Sequence, residues 1–231
     1  MTGLIRRAIR DVVFGAQDGL VSTLGAVTGI AAGTGDNATT ALAGLVVVAV
    51  ESLSMAAGTY ISSKSHGQYL KFLLEEERRQ IERDPEGERE EIRTMYAARG
   101  FTAAEIEMVE ERLMRDKEIL LEDMAHKELG IIPAYDENPA HNALFMGISY
   151  VLGGAIPSLP YFFLPIKLAM PISLAITALA MLGLGAAKGA AVKTSKLASG
   201  FEVLGLGAAA AALGYMIGQA GAAIFGIPVL H

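Results

Sequence analysis

Residues 14–33 read "FGAQDGLVSTLGAVTGIAAG", a run long and apolar enough to cross a bilayer once, yet it carries an acid, Asp18. What that carboxylate does decides how the rest of the chain is read. The surroundings favour a membrane: 52% of the 231 residues are hydrophobic, mean hydropathy is +0.40, and several further apolar runs are longer than a soluble domain carries. Five fit the roughly 20 residues a span needs: 12–33, 38–61, 142–164, 166–187 and 201–224. The expected fold is therefore all-α, a polytopic membrane protein with transmembrane helices 1 and 2 in residues 1–63 and helices 3 to 5 in 141–231. A helical insert occupies residues 64–140.

Charge separates the insert from the spans. Residues 64–140 hold 20 acidic and 12 basic side chains and the rest of the chain 5 and 7, so a net −8 and +2 make up the overall −6. So acidic a segment makes nucleic acid a poor partner. Absence of cysteine removes thiolate catalysis, disulfides and zinc-thiolate sites. Arg6, Arg7 and Arg10 precede the first span and Lys188, Lys193 and Lys196 lie between the fourth and fifth. The positive-inside rule then puts the N-terminus and residues 64–140 in the cytoplasm and the C-terminus outside. "MTGLIRRAIR" has no small-residue cleavage site and runs straight into a span, which argues against a removable signal peptide. Short loops and no targeting segment lead us to expect a prokaryotic plasma membrane.

Within the insert, residues 69–84 continue the second span without a proline. Asp84 and Pro85 form an N-cap and first-turn pair, Gly100 a stop, and "TAAE" (102–105) a capping box that opens a third helix. Glutamates recur at helical spacing: Glu88 with Glu91, Glu107 with Glu110 and Glu111, Glu118 with Glu122, and Met124 with Glu128. Several can converge on a metal ion, although most such glutamates belong to solvated, salt-bridged faces. A ferritin-like di-iron centre asks for Glu-x-x-His on two helices; Asp123 and Ser63 stand at that offset from His126 and His66. Those histidines, with His141 and His231, read as surface residues. No nucleophile elbow, phosphate loop or Ser/His/Asp set is present, so no enzymatic activity is expected. Gly25, Gly29 and Gly33 in the first span and Gly214 with Gly218 in the fifth allow close helix contact, within one chain or across a dimer.

A charge in hydrocarbon costs about 2.5–3.5 kcal/mol on the insertion scale, so it faces a cavity or a partner. At ~1.5 Å per residue, Asp18 lies about 12 Å beyond Arg10, while on the antiparallel second helix Met55 lies about 14 Å and Glu51 about 20 Å from Lys64. The three share a similar depth, and Glu51 and Met55 are i, i+4 neighbours on one helix face. Two carboxylates with a thioether suit a transient divalent cation, and the thioether tilts preference toward soft first-row ions such as Fe²⁺ over Mg²⁺ or Ca²⁺. The same acids can take protons. The plainer alternatives are a packing acid for Asp18 and core filling for Met55.

These residues resemble the vacuolar iron transporter family over nearly the whole chain: "DGLVSTLGAVTGIAAG" (18–33), "ESLSMAAGTYISSKS" (51–65), the glutamate-rich insert, "KELGI" (127–131) and "SYVLGGAIPSLPYFF" (149–163). The resemblance implies a homodimer with five spans per subunit that exchanges cytosolic Fe²⁺, sometimes Mn²⁺ or another divalent transition metal, for protons. No permanently bound cofactor is implied; the metal is cargo. It places the pore acid at Asp18 and the pore methionine at Met55, and the metal-collecting ligands at Glu77, Glu88, Glu91, Met124 and Glu128. Gln80 stands where the family pattern has another glutamate, Ala125 where some members have a second methionine, and Glu76 is a candidate substitute for Gln80. Glu51 enters as a pore residue on its spacing alone. The rival reading is a membrane-anchored metal buffer or sensor without transport.

Overall fold

A computed structural model describes residues 2–130 and 138–227, with side chains from Ile9 onward. Arg6 and Arg7 of the orientation argument, Ile131 of the "KELGI" stretch and His231 fall outside the described side chains. Every described element is helical: α1 (Thr2–Thr34), α2 (Asn37–Arg83), α3 (Pro85–Ala97), α4 (Ala103–Met114), α5 (Lys117–Lys127), α6 (Pro139–Ser158), α7 (Pro160–Phe163), α8 (Ile166–Ala191) and α9 (Lys196–Phe225). The chain packs as two compact units, Met1–Ile61 with Pro139–His231, and Ser62–Asn138.

By length and composition α2, α8 and α9 can each cross a membrane. The two remaining expected spans, in α1 and α6, fall short of that measure. The reason lies in what they touch. α1 carries Gly, Ser and Thr where it packs closely on α6 and α9, and α6 stops at Ser158, short of the expected Leu164, because Pro160 begins a separate turn.

Small residues set the packing of the first unit. Gly25, Gly29 and Gly33 of α1 face Ala210, Gly214 and Gly218 of α9; a Cβ on Gly29 would sit 2.7 Å from the Gly214 carbonyl oxygen, and one on Gly33 2.8 Å from that of Gly218. The glycine stripes thus meet within one chain. Nearer the N-terminal end of α1, Gly15 lies against the Met146 backbone and Gly19 against that of Tyr150 on α6. Above and below, Leu20, Leu24, Met181, Val203 and Ala211 form one apolar cluster and Val27, Ala31, Ala41, Tyr161 and Ala169 a second. Gly214→Ala drives a methyl group into the Gly25 carbonyl, an overpacking that costs about 1–3 kcal/mol. Gly221→Ala, with open space around its Cβ, is the matched control; thermal unfolding in detergent should separate the two, with Gly214→Ala alone melting early.

The second unit is built by caps and one core. Asp84 accepts from the Gly87 N–H (3.0 Å) at the start of α3, and the Thr102–Glu105 capping box opens α4, as its sequence signature foretold. The single third helix expected after Thr102 is instead broken between Met114 and Lys117. Asp116 takes an extended conformation and its carboxylate accepts from the N–H groups of Glu118 (3.1 Å) and Ile119 (3.3 Å), which starts α5 as a separate helix. Ile81, Ile92, Tyr96, Leu113, Leu120, Leu121 and Met124 form the core beneath α2 to α5. Glu110, nearly buried, ties α4 to α3 through Arg89 (2.8 Å) and Arg93 (2.7 Å). These guanidiniums, Arg93 foremost, hold its carboxyl below the usual range.

Candidate functional site

Two groups of carboxylates stand apart from the salt-bridged remainder, one in each unit. In the first unit Asp18, half-buried on α1, lies within electrostatic reach of Glu51 on α2. Glu51 is exposed and Met55, one turn further along the same helix face, is half-buried. What the spacing did not reveal is Tyr150 of α6. It is fully buried, its hydroxyl lies 2.6 Å from Ser22 Oγ, and it is in electrostatic reach of both Asp18 and Glu51.

Hydrogen-bond accounting fixes the direction of this link. Ser22 Oγ has one proton and donates it to the Asp18 backbone carbonyl at 2.7 Å, one turn back, so Tyr150 donates to Ser22. Gly19 makes the approach possible, because a side chain there would collide with the Tyr150 carbonyl. A lone phenol in an otherwise apolar helix was the available signal, and a tyrosine in a span is too common to single out unaided.

In the second unit the structure gathers Glu77 from α2, Glu88 and Glu91 from α3, and Met124 and Glu128 from α5. Glu77, Glu88 and Met124 are buried, with 5, 2 and 0% of their surface exposed, whereas Glu91 and Glu128 sit at the exposed rim. Glu77 Oε1 and Glu88 Oε2 are buried with no hydrogen-bond partner. Burial, and then the charges of Glu128 and Glu91, push the Glu77 carboxyl up to about 7. Glu88 also reaches about 7, through burial and the neighbouring Glu77, Glu91, Glu128 and Asp84 charges. Glu128 is raised by burial and by Glu91.

Buried acids without partners ordinarily acquire one or lose their charge. Glu77 and Glu88 are such acids, and the charges of Glu91 and Glu128 act on both. Among the described residues no three Asp, Glu or His side chains are gathered tightly enough to coordinate an ion as they stand.

The remaining acids take the plainer role. Glu76 is exposed and pairs with Arg79 at 3.3 Å, Glu118 with Arg78 at 3.0 Å and Glu111 with Arg115 at 2.5 Å. Gln80 is exposed beside them. Sequence spacing alone did not separate the gathered glutamates from these; the difference is that Glu77 and Glu88 face the apolar core, whereas their neighbours face guanidiniums.

Helices of membrane-crossing length mark an integral membrane protein, and its relatives are transporters rather than enzymes. The VIT family model matches residues 9–219, and the chain belongs to that family. Curated relatives include vacuolar iron transporter 1 of Arabidopsis thaliana, 30% identical over 91% of this chain and 85% of the relative. Another is vacuolar iron transporter 2 of Oryza sativa subsp. japonica, 30% identical over 92% and 87% respectively. That of Toxoplasma gondii is 25% identical over 64% of this chain and 50% of the relative. These names belong to eukaryotic proteins of the vacuole and lend the plasma-membrane expectation no support.

Proposed function

We propose that the protein is a homodimeric transporter that moves Fe²⁺ out of the cytosol in exchange for protons, with Mn²⁺ as an alternative cargo. The observation that carries this reading is the carboxylate pair Asp18 on α1 and Glu51 on α2, within electrostatic reach of one another in the first unit. A structural anchor has no use for two mutually repelling acids there, whereas a cation that must be held and then released does. Both acids can bind the ion or, in its place, a proton. Met55 supplies the thioether that favours a soft divalent ion.

Glu51 further supports a dimer. It is exposed on α2 among Val46, Val50 and Leu53, which are 51, 59 and 72% exposed, and a carboxylate is not left facing lipid when that costs about 2.5–3.5 kcal/mol. A second copy covering this face would enclose the acids between protomers. In the reading we favour, α1, α2, α6 with α7, α8 and α9 supply five spans, the N-terminus and residues 64–140 lie in the cytosol and the C-terminus on the far side. Glu77, Glu88, Glu91, Met124 and Glu128 collect the metal ahead of the pore.

Reconstitution tests this. Proteoliposomes with a metal-quenched dye and a pH probe inside are given external Fe²⁺ under an imposed proton gradient. The expected result is metal uptake that follows the gradient, with protons moving the opposite way. Metal bound at the insert with no gradient-sensitive uptake would replace the transporter with a membrane-tethered buffer.

A further inference from the structure

The last turn of α5 carries two parallel i, i+4 pairs. Met124 and Glu128 belong to the gathered glutamate set; Asp123 and Lys127, each one residue earlier, lie on the adjoining strip of the helix surface. This second pair converges on Tyr96 at the end of α3. The Tyr96 hydroxyl bonds to Asp123 Oδ2 (3.1 Å), Lys127 Nζ reaches both the Tyr96 hydroxyl and Asp123 Oδ1, the latter at 2.5 Å, and the ammonium stands 4.1 Å from the ring centroid. Phe101 meets the other part of the ring edge-on at 5.1 Å. Tyr96 itself is 7% exposed within the core.

We propose that Tyr96 is a positioning residue for metal capture, a clamp that holds the ligand-bearing end of α5 against α3 while the site is empty. The inference rests on the collector role proposed above. Its physical basis is a conflict between helix ends and charge. Glu128 is the C-cap of α5, where carbonyls have no onward partner and helices fray. Its carboxylate is also pushed away by Glu91. Without a tie, repulsion and fraying would both draw Glu128 away from Glu88 and Glu91. The Asp123–Lys127 pair locks that turn and the Tyr96 hydroxyl anchors the pair to α3, the helix that carries Glu88 and Glu91. Capture then begins from ligands already close together, which lowers the ordering cost of binding.

The test uses the full-length protein in detergent, with Mn²⁺ binding followed by electron paramagnetic resonance of the free ion and melting temperature recorded in chelator. Tyr96→Phe keeps the ring, its core contacts and the Phe101 edge but cannot anchor Asp123; Lys127→Met breaks the same tie from the other side. Each is expected to weaken Mn²⁺ binding about 10-fold, the range in which ligand-supporting groups act. The double variant should lose no more than either alone, since both break one clamp. Ile92→Val, in the same core, lowers the melting temperature without touching the clamp and should leave affinity unchanged. Wild-type affinity in Tyr96→Phe, or a loss in Ile92→Val equal to that in Tyr96→Phe, would overturn the assignment. If wild type and Glu88→Gln bind Mn²⁺ alike, the collector reading itself falls and takes this inference with it.

Discussion

Asp18→Ala should reduce gradient-driven Fe²⁺ uptake in proteoliposomes to that of protein-free vesicles, with the protein still folded. The expectation of a folded variant follows from where the hydrogen bonds go. Ser22 donates to the backbone carbonyl of Asp18, not to its carboxylate, so the link from α1 through Ser22 to Tyr150 survives loss of the side chain. Removing the carboxylate also relieves its repulsion with Glu51, so melting temperature should hold steady or rise. In the proposed mechanism transport has no such reserve, because the ion would lose a charged ligand and the proton its carrier. The loss should exceed the roughly 10–100-fold typical of outer-shell changes around a metal. Asp18→Asn, which preserves shape and polarity but cannot ionise, should fail equally. Uptake at the wild-type rate in Asp18→Ala would sink the proposed pathway.

Residue spacing made much of this legible. The apolar runs located the helices of the first unit, since 3.6-residue periodicity and length are set locally, and the glycine stripes foretold a close contact that α1 and α9 do make. Asp84 and the Thr102–Glu105 box announced α3 and α4 because capping is chemistry within four residues. Asp116 carries the same signal, but a charged run around it reads equally as a continuous helix, and the break there was missed. Burial was the hidden quantity. Glu76 and Glu77 are adjacent in sequence, yet one faces Arg79 and the other the interior. Only tertiary packing of α2 against α3 and α5 distinguishes them, as only the close approach of α6 brings Tyr150 to Ser22.

The second large effect is on pH. In chelator, the Ser62–Asn138 unit should be more stable at pH 5 than at pH 8. Glu77 and Glu88 titrate near 7 in the folded protein, against about 4.3 for an unperturbed glutamate in the unfolded chain. Between those values the folded state holds more protons than the unfolded one, so stability falls as pH rises. The contribution is complete below about 4.3 and gone once pH has passed through 7. Asp and Glu in ordinary salt bridges, such as Glu110 with its lowered carboxyl, act in the opposite sense and lose their contribution only in acid.

In the proposed collector metal should reverse the penalty, because a divalent cation would replace the missing protons as the counter-charge for Glu77, Glu88, Glu91 and Glu128. Melting temperature at pH 8 should therefore recover on adding Mn²⁺, while at pH 5 the ion should bind weakly and protect little. Calorimetry at pH 6, in buffers of different ionisation heat, should show up to about two protons released per binding event, falling toward none at pH 8. The double variant Glu77→Gln/Glu88→Gln should flatten the melting temperature across the whole interval and lose both the protection and the proton release. A melting profile in the wild type that stays level from pH 5 to 8 would mean the two buried carboxyls are satisfied by something other than protons, and that the site is no cation trap. If instead the profile slopes as expected, protons and metal compete for the same carboxylates in the proposed collector, which would surrender metal as the local pH drops. In the proposed exchanger, protons would then loosen the metal held by the insert.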